Sequence, residues 1–281
     1  MRSYLSLIPI SAKVHRRQNR MTLLCIIFAV FLVTAIFSMA DMGVRMEKQA
    51  LLNKHGNYSM QLNQVSEDAA KQIGAKSDVE IMAWYDAINH NKDEEYHIGD
   101  KKAVLVGTDK TYITDIQNCL KEGSFPKSAE EIMLSPNAKT ILGIDIGDHI
   151  TIKTPASSKE YTLTGFGEDD AGFNSLYDTI SAYMNQEAFL EICKEEGHTS
   201  APVYYVRLNE KMDVNKFAAD IKEEYGLTDE RVSVNTVSLS LADFGSNSIV
   251  QTMYTAAAVL FVLILIAGVL MISSSMNSNV A

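Results

Sequence analysis

The sequence predicts a mixed α+β domain of short strands and helices, inserted between two transmembrane α-helices. Three observations lead there. Two long runs, Met21–Ala40 and Ile249–Ala281, carry no charged residue. All 35 acidic residues lie between them, from Asp41 to Asp243. That central segment alternates short stretches of period two with short stretches of helical period, without an internal repeat.

The chain begins with a basic leader, residues 1–20. It holds Arg2, Lys13, Arg16, Arg17 and Arg20 and no acid. Lys and Arg beside a span mark the cytoplasmic side, so Arg16, Arg17 and Arg20 orient the amino terminus inward. Tyr4, Leu5, Leu7, Ile8, Ile10 and Val14 also suit a segment lying along the inner interface. Pro9 opposes an unbroken helix there, and a solvated basic flank is the competing reading.

Residues 21–40 form the first span. The run has eleven Leu, Ile, Val or Phe and no charge. It favours insertion by about 3–7 kcal/mol and is long enough for roughly 30 Å of hydrocarbon. A cleaved signal peptide is the competitor, because Ser38-Met39-Ala40 resembles a small-x-small site. Signal cores run to only about 7–15 residues, so the run is expected to stay as an anchor. Arg16-Arg17 is followed by polar Gln18 and Asn19, which does not fit twin-arginine export. A mature chain starting at Asp41 would overturn the anchor.

From Asp41 the helical pattern continues as a stalk over 41–56, with Asp41 and Arg45 one turn apart and Gly56 as its terminator. The outer domain then spans 57–237. "NYSMQLNQV" alternates Tyr58, Met60 and Leu62, as a strand does. Ser66 is a helix cap and Gly74 lies near that helix's end. Strands are expected at Val79–Trp84, Ala103–Val106, Glu131–Leu134, His149–Lys153, Tyr161–Thr164 and Ile180–Met184. Helices are expected at Lys110–Leu120, Asn137–Leu142 and Asn185–Glu196. After Pro202 a strand-helix-strand pattern suggests a subdomain over 202–237. A second stalk, 238–253, leads to the second span, 254–272, and residues 273–281 return to the cytoplasm.

The large loop sets 35 acids against twenty bases, a net charge of −15. That disfavours nucleic acid and suits an exposed, soluble domain or a cationic partner. Hydrolase elbows, phosphate-binding loops, zinc-protease helices and paired CxxC motifs do not occur. "HNKDEEYH" brings together His90, Asp93, Glu94, Glu95 and His97, but two histidines seven apart are unspecific, and a solvated charged turn is expected. "GFGEDDAGF" (Gly165–Phe173) lacks calcium-loop spacing and reads as an exposed loop. Cys25 sits in the first span. Cys119 and Cys193 lie outside, where a pairing is open but nothing in their spacing requires it. Trp84 with Tyr85, and Tyr204 with Tyr205, are read first as core. No catalytic, cofactor-binding or metal residue is expected.

One stretch carries a family likeness. "LKEGSFPKSAEEIMLSPNAKTILGIDIGDHITI" (Leu120–Ile152) resembles the outer-domain signature of FtsX-like/MacB-like ABC transporter permeases. The matching positions are Gly123, Pro126, Glu131, Ile132, Leu142, Gly143, Gly147 and Asp148. "YTLTGF" (Tyr161–Phe166) resembles the strand that follows. These are scaffold residues: glycines for turns, Pro126 to stiffen one, Asp148 to satisfy turn amides.

The resemblance implies a multi-pass permease of the bacterial plasma membrane, its large loop extracytoplasmic. It implies a cytoplasmic ABC ATPase subunit and a second permease copy, homo- or heterodimeric, as partners, with the lipid bilayer and without a cofactor. ATP-driven movement of the outer domain would then serve export of, or resistance to, peptides, antibiotics or lipid-linked substrates. The family has four spans, so this sequence reads as its amino-terminal portion. Two alternatives remain: a two-span receptor with a ligand-binding outer domain, and a regulator of cell-wall hydrolases.

Overall fold

The computed structural model describes residues 16–91, 93–168, 173–210, 212–242 and 248–277. Two units make up the chain: Met1–Gln49 with Asp243–Ala281, and Ala50–Ala242. Helix α1, Arg16–His55, opens the described chain. It ends where Gly56 takes a φ of +81°, a conformation that glycine reaches without a Cβ clash.

In the Ala50–Ala242 unit, β1 (Met60–Asn63), α2 (Glu67–Gly74) and β2 (Val79–Ile88) come first. Met60 and Leu62 point to the core while Gln61 and Asn63 do not, as the alternation requires. Ser66 caps α2, its hydroxyl accepting from Ala69 N at 3.3 Å.

The next segment holds β3 (His97–Ile98), β4 (Lys101–Thr108), β5 (Leu120–Gly123), β6 (Glu131–Leu134) and α3 (Asn137–Leu142). It continues through β7 (His149–Lys153), β8 (Ser158–Gly167), α4 (Phe173–Tyr177), β9 (Thr179–Asn185) and α5 (Gln186–Glu196). The strand pairings β4–β3–β7–β8–β6–β9 return to β4, closing the sheet on itself, and β5 adds to β8. Closure removes exposed edges from these strands.

The chain then supplies β10 (Val203–Leu208), α6 (Val214–Tyr225), β11 (Val232–Val234) and α7 (Thr236–Ala242). Strand β10 inserts antiparallel between β1 and β2, and β11 pairs antiparallel with the other edge of β1. The order β11-β1-β10-β2 with one helix in each half is a split β-α-β pair. The stretch 202–237 thus finds its partners in residues 60–85 rather than standing as a separate subdomain. The closed sheet is an insertion between the two halves, joined to them by β2–β4 pairing.

One expected helix is shorter and differently wound. Over Lys110–Leu120 the chain makes a π-helical turn, Tyr112–Ile116, and Leu120 already begins β5. Asp109 accepts from Tyr112 N at 2.7 Å and holds the turn's start, while Asn118 at φ +50° breaks any continuation. Gly165 and Gly167, expected in an exposed loop, are buried strand residues of β8. Residues 169–172 of that stretch lie outside the described residues.

Alternation sends side chains into two cores. Ala103 and Leu105 of β4 join the larger cluster, with Ile73, Phe189 and Phe217 of α2, α5 and α6. Val104 and Val106 join a smaller one with Tyr112, Ile113 and Ile116 on the opposite face. Each fully buried aliphatic or aromatic side chain contributes roughly 1.5–3 kcal/mol.

In the other unit, α8 (Ser248–Asn277) accompanies α1. Phe37 and Phe261 meet edge to face at 6.0 Å. Windows within Ile26–His55 and Gln251–Leu270 are long and apolar enough to cross a bilayer. Phe28, Phe31, Val269 and Leu270 are all more than half exposed, as lipid-facing side chains are. Thr34 and Thr255 return their hydroxyls to the carbonyls of Val30 and Gln251, so these polar groups are satisfied within their own helices. Helix α1 has 40 residues. At 1.5 Å per residue it is about 60 Å long, twice the hydrocarbon thickness. Asp41 and Arg45 pair at 2.9 Å on it. The leader up to residue 15, residues 243–247 of the second stalk and residues 278–281 lie outside the described residues.

Candidate functional site

The two ends of the outer unit are stitched together. The chain arrives from α1 through Gly56 and Asn57, and Asn57 N donates to the carbonyl of Ile116 at 2.7 Å, in the π-helical turn. Ser59, 6% exposed, donates its N–H to Val206 O at 2.7 Å and accepts from Leu208 N on its hydroxyl at 3.0 Å. The chain leaves through β11 and Asn235, which is 8% exposed.

Asn235 makes the connection. Its N–H donates to Ser59 O at 2.9 Å and its Nδ2 to Tyr58 O at 3.0 Å. Its Oδ1 accepts from Val237 N and Ser238 N at 3.0 and 3.2 Å, capping α7. All the polar groups of one buried residue are used to join the first strand, the last strand and the helix that leads out. The first and last strands, β1 and β11, are in register at Met60 and Val234.

Beside this junction, on the smaller-core face, a cavity of about 330 Å³ opens. Tyr85, Tyr112 and Tyr205 wall it, and Val104, Val106 and Ser181 lie beneath. The rings form a continuous set: Tyr58–Tyr205 at 4.9 Å, Tyr112–Tyr205 at 5.0 Å and Tyr85–Tyr112 at 4.8 Å between centroids. Gln117 Nε2 donates to the Tyr112 hydroxyl at 3.3 Å. Lys54, His55 and His90, all exposed, stand at the mouth.

A second cleft, of about 280 Å³, is acidic, with Asp86, Asp93 and Glu94 near His198. His198 Nε2 lies 3.1 Å from the Tyr96 hydroxyl and 3.4 Å from Glu94 Oε1. Burial, then the charges of Glu196 and Glu94, pushes the Tyr96 phenol up. Asp86 is satisfied by Ser200 Oγ and Ala201 N at 2.7 and 2.9 Å. Of the "HNKDEEYH" stretch, His90, Asp93 and Glu94 line this cleft, while Tyr96 is fully buried and His97 lies in β3 beside Glu95 at 3.7 Å. Among the described residues no cluster of His, Cys, Asp or Glu is arranged to hold a metal.

The signature residues sit in the closed sheet and set its turns. Gly123 has φ +78°, and a Cβ there would lie 2.2 Å from the Thr164 carbonyl oxygen. It faces Gly165 across the β5–β8 pairing. Pro126 is buried behind it. Glu131 accepts from Lys127 N at 2.7 Å and Ser128 N at 3.4 Å, closing the turn before β6. Ile132 is fully buried and Leu142 packs on the larger core. Gly143 ends α3 at φ +66°. Gly147, at φ +99°, donates to Leu163 O at 2.8 Å, and Asp148 accepts from Asp145 N at 2.8 Å. Arg16 and Arg20 are exposed on α1. The side chain of Arg17 lies outside the described residues.

The aromatic pairs divide between faces. Trp84 and Tyr204 are core residues, whereas Tyr85 and Tyr205 turn to the cavity, because neighbours in a strand point oppositely. Cys119 and Cys193 are buried in separate clusters and no disulfide joins them. Sequence reading missed Asn235 and Tyr112. An Asn directly before "TVSLSLA" is a cap signal that could have flagged the first. Nothing local distinguishes Tyr112.

No curated protein matches the sequence. Among solved structures, the periplasmic region of MacB from Actinobacillus actinomycetemcomitans is similar at a TM-score of 0.47 and 11% identity, over 70% of this chain and 96% of that one. The extracellular domain of the noncanonic ABC-type transporter YknZ from Gram-positive bacteria gives 0.44 and 11%, over 64% and 100%. The sequence family of the MacB-like periplasmic core domain matches residues 21–224. The chain therefore belongs to the MacB-like periplasmic core domain family, the extracytoplasmic domain of ABC transporter permease-type proteins.

Proposed function

We propose that this chain is the amino-terminal portion of a permease that turns ATP hydrolysis by a separate cytoplasmic ATPase into movement of its outer domain. The observation that carries this reading is the Asn235 junction. A domain tethered by two long helices, whose first and last strands are hydrogen-bonded neighbours, receives displacement of either helix at one place. The basic flank with Arg16, Arg17 and Arg20 supports an inward amino terminus and an outward domain. Dimerisation with a second permease copy, and export of or resistance to peptides, antibiotics or lipid-linked substrates, belong to the same reading. The residues at the motif positions serve as turn scaffold.

The test is purification of the tagged protein from its native membrane at low detergent. Retrieval of an ATPase with phosphate-loop and signature motifs supports the proposal. Retrieval of a histidine kinase in its place favours a receptor and overturns it. Labelling of single exposed cysteines placed in the outer unit by a membrane-impermeant maleimide on intact cells checks the orientation.

A further inference from the structure

The tyrosine-walled cavity is not used by the permease reading, and it differs from the rest of the outer domain in both chemistry and charge. Its volume, about 330 Å³, falls in the range of small-molecule sites, roughly 300–1,000 Å³. A contiguous set of tyrosine rings, with Val104 and Val106 also in the lining, suits a flat apolar group. The mouth carries Lys54 and His55, and none of the lining residues is acidic. In a loop of net charge −15 that reversal of sign is local and specific.

Electron-rich tyrosine faces also attract cations, by about 0.5–2 kcal/mol. A cationic ligand here, however, would lie beside the Lys54 ammonium with no carboxylate to offset the repulsion. An anion gains a charge-assisted hydrogen bond there instead. The wall itself is a π-helical turn, a feature frequent at functional sites. Ile116 of that turn binds Asn57, the second residue beyond α1.

We infer that this cavity binds a small aromatic anion, its ring laid against the joined surface of Tyr85, Tyr112 and Tyr205 and its negative group at Lys54. The inference stands on the cavity alone and does not require the permease reading.

The test uses the full chain in lipid nanodiscs, with empty nanodiscs as the blank, and equilibrium dialysis of three probes sharing one ring system. These are naphthalenesulfonate, the uncharged naphthalenesulfonamide and the cationic naphthylmethylammonium. Saturable binding of the sulfonate at one site per chain is expected, with the sulfonamide about tenfold weaker and the ammonium weaker still, since tenfold corresponds to one charge-assisted contact. Lys54→Glu should weaken the sulfonate about tenfold or more while leaving the sulfonamide unchanged, and Lys54→Arg should restore it. Tyr205→Leu should weaken all three. Should Tyr205→Leu not fold, the exposed Lys54 pair decides the matter. No saturable binding above the blank, an ammonium tighter than the sulfonate, or a Lys54→Glu variant that affects both sulfonyl probes equally would each overturn the inference.

Discussion

Asn235 donates its side-chain amide to the backbone carbonyl of Tyr58 at 3.0 Å, across 177 residues of sequence. This bond fastens the start of the outer domain to its end. Replacing Asn235 with Ala removes that bond and the cap on α7 together. A loss of about 1–3 kcal/mol is expected, seen as a fall in Tm of several degrees. Asn235→Asp keeps the cap acceptor and loses only the donor, so its fall should be smaller. An Asn235→Asp variant as stable as the natural protein would show that the Tyr58 contact carries nothing, and equal losses for the two variants would show the same of the cap.

Gly123 and Gly147 both have positive φ but different surroundings. A methyl at Gly123 meets the Thr164 carbonyl at 2.2 Å, while at Gly147 it meets nothing within 4 Å. Gly147→Ala should therefore show only the backbone term, about 1–2 kcal/mol. Gly123→Ala must in addition push β5 off β8, and is expected to be the more damaging by a clear margin in chemical denaturation. Comparable midpoints would contradict the geometry.

Asp109 uses both carboxylate oxygens, accepting from Trp84 N and Tyr112 N at 2.7 Å each. Burial nonetheless outweighs these bonds and holds its carboxyl above the usual range. A raised acid opposes folding when ionised, so its share of stability rises as pH falls through the folded pKa and is complete below the unfolded one. Asn at this position must turn its amide group toward one of the two N–H donors, destabilising the domain by about 1–3 kcal/mol. The gap between the natural protein and Asp109→Asn should widen from neutral pH toward pH 4, since only the former gains. Unfolding curves at several pH values check this.

The Cys193 thiol is pushed up to about 11 by burial first and by the Asp86 charge second. It should resist alkylation in the native protein near pH 8 and react once unfolded. A count on unreduced, denatured protein should return all three thiols of the sequence. A count of one would mean that Cys119 and Cys193 pair.

Local patterns reached far into this fold. Strands at Glu131–Leu134 and His149–Lys153 and the helix at Asn137–Leu142 match the elements expected, because each combines clear periodicity with a turn residue at its end. Ser66 and the Asp41–Arg45 pair were legible for the same reason: caps and one-turn ion pairs are interactions within a few residues. The helix expected over Lys110–Leu120 was legible in place but not in length or winding: its apolar spacing is helical, while Asp109, bonded to Trp84 N of β2 and Tyr112 N, holds its start.

The sequence by itself determined the two apolar helices, the mixed α+β character between them and the family, since hydrophobic run length, alternation and turn glycines are local or compositional properties. Only the tertiary structure decided that residues 203–234 complete the sheet begun at Met60, that Asn235 closes on Tyr58, and that Tyr85, Tyr112 and Tyr205 line one cavity. Those depend on which strand lies beside which. A period of two places a side chain on one of two faces; strand pairing across more than a hundred residues chooses its neighbours there.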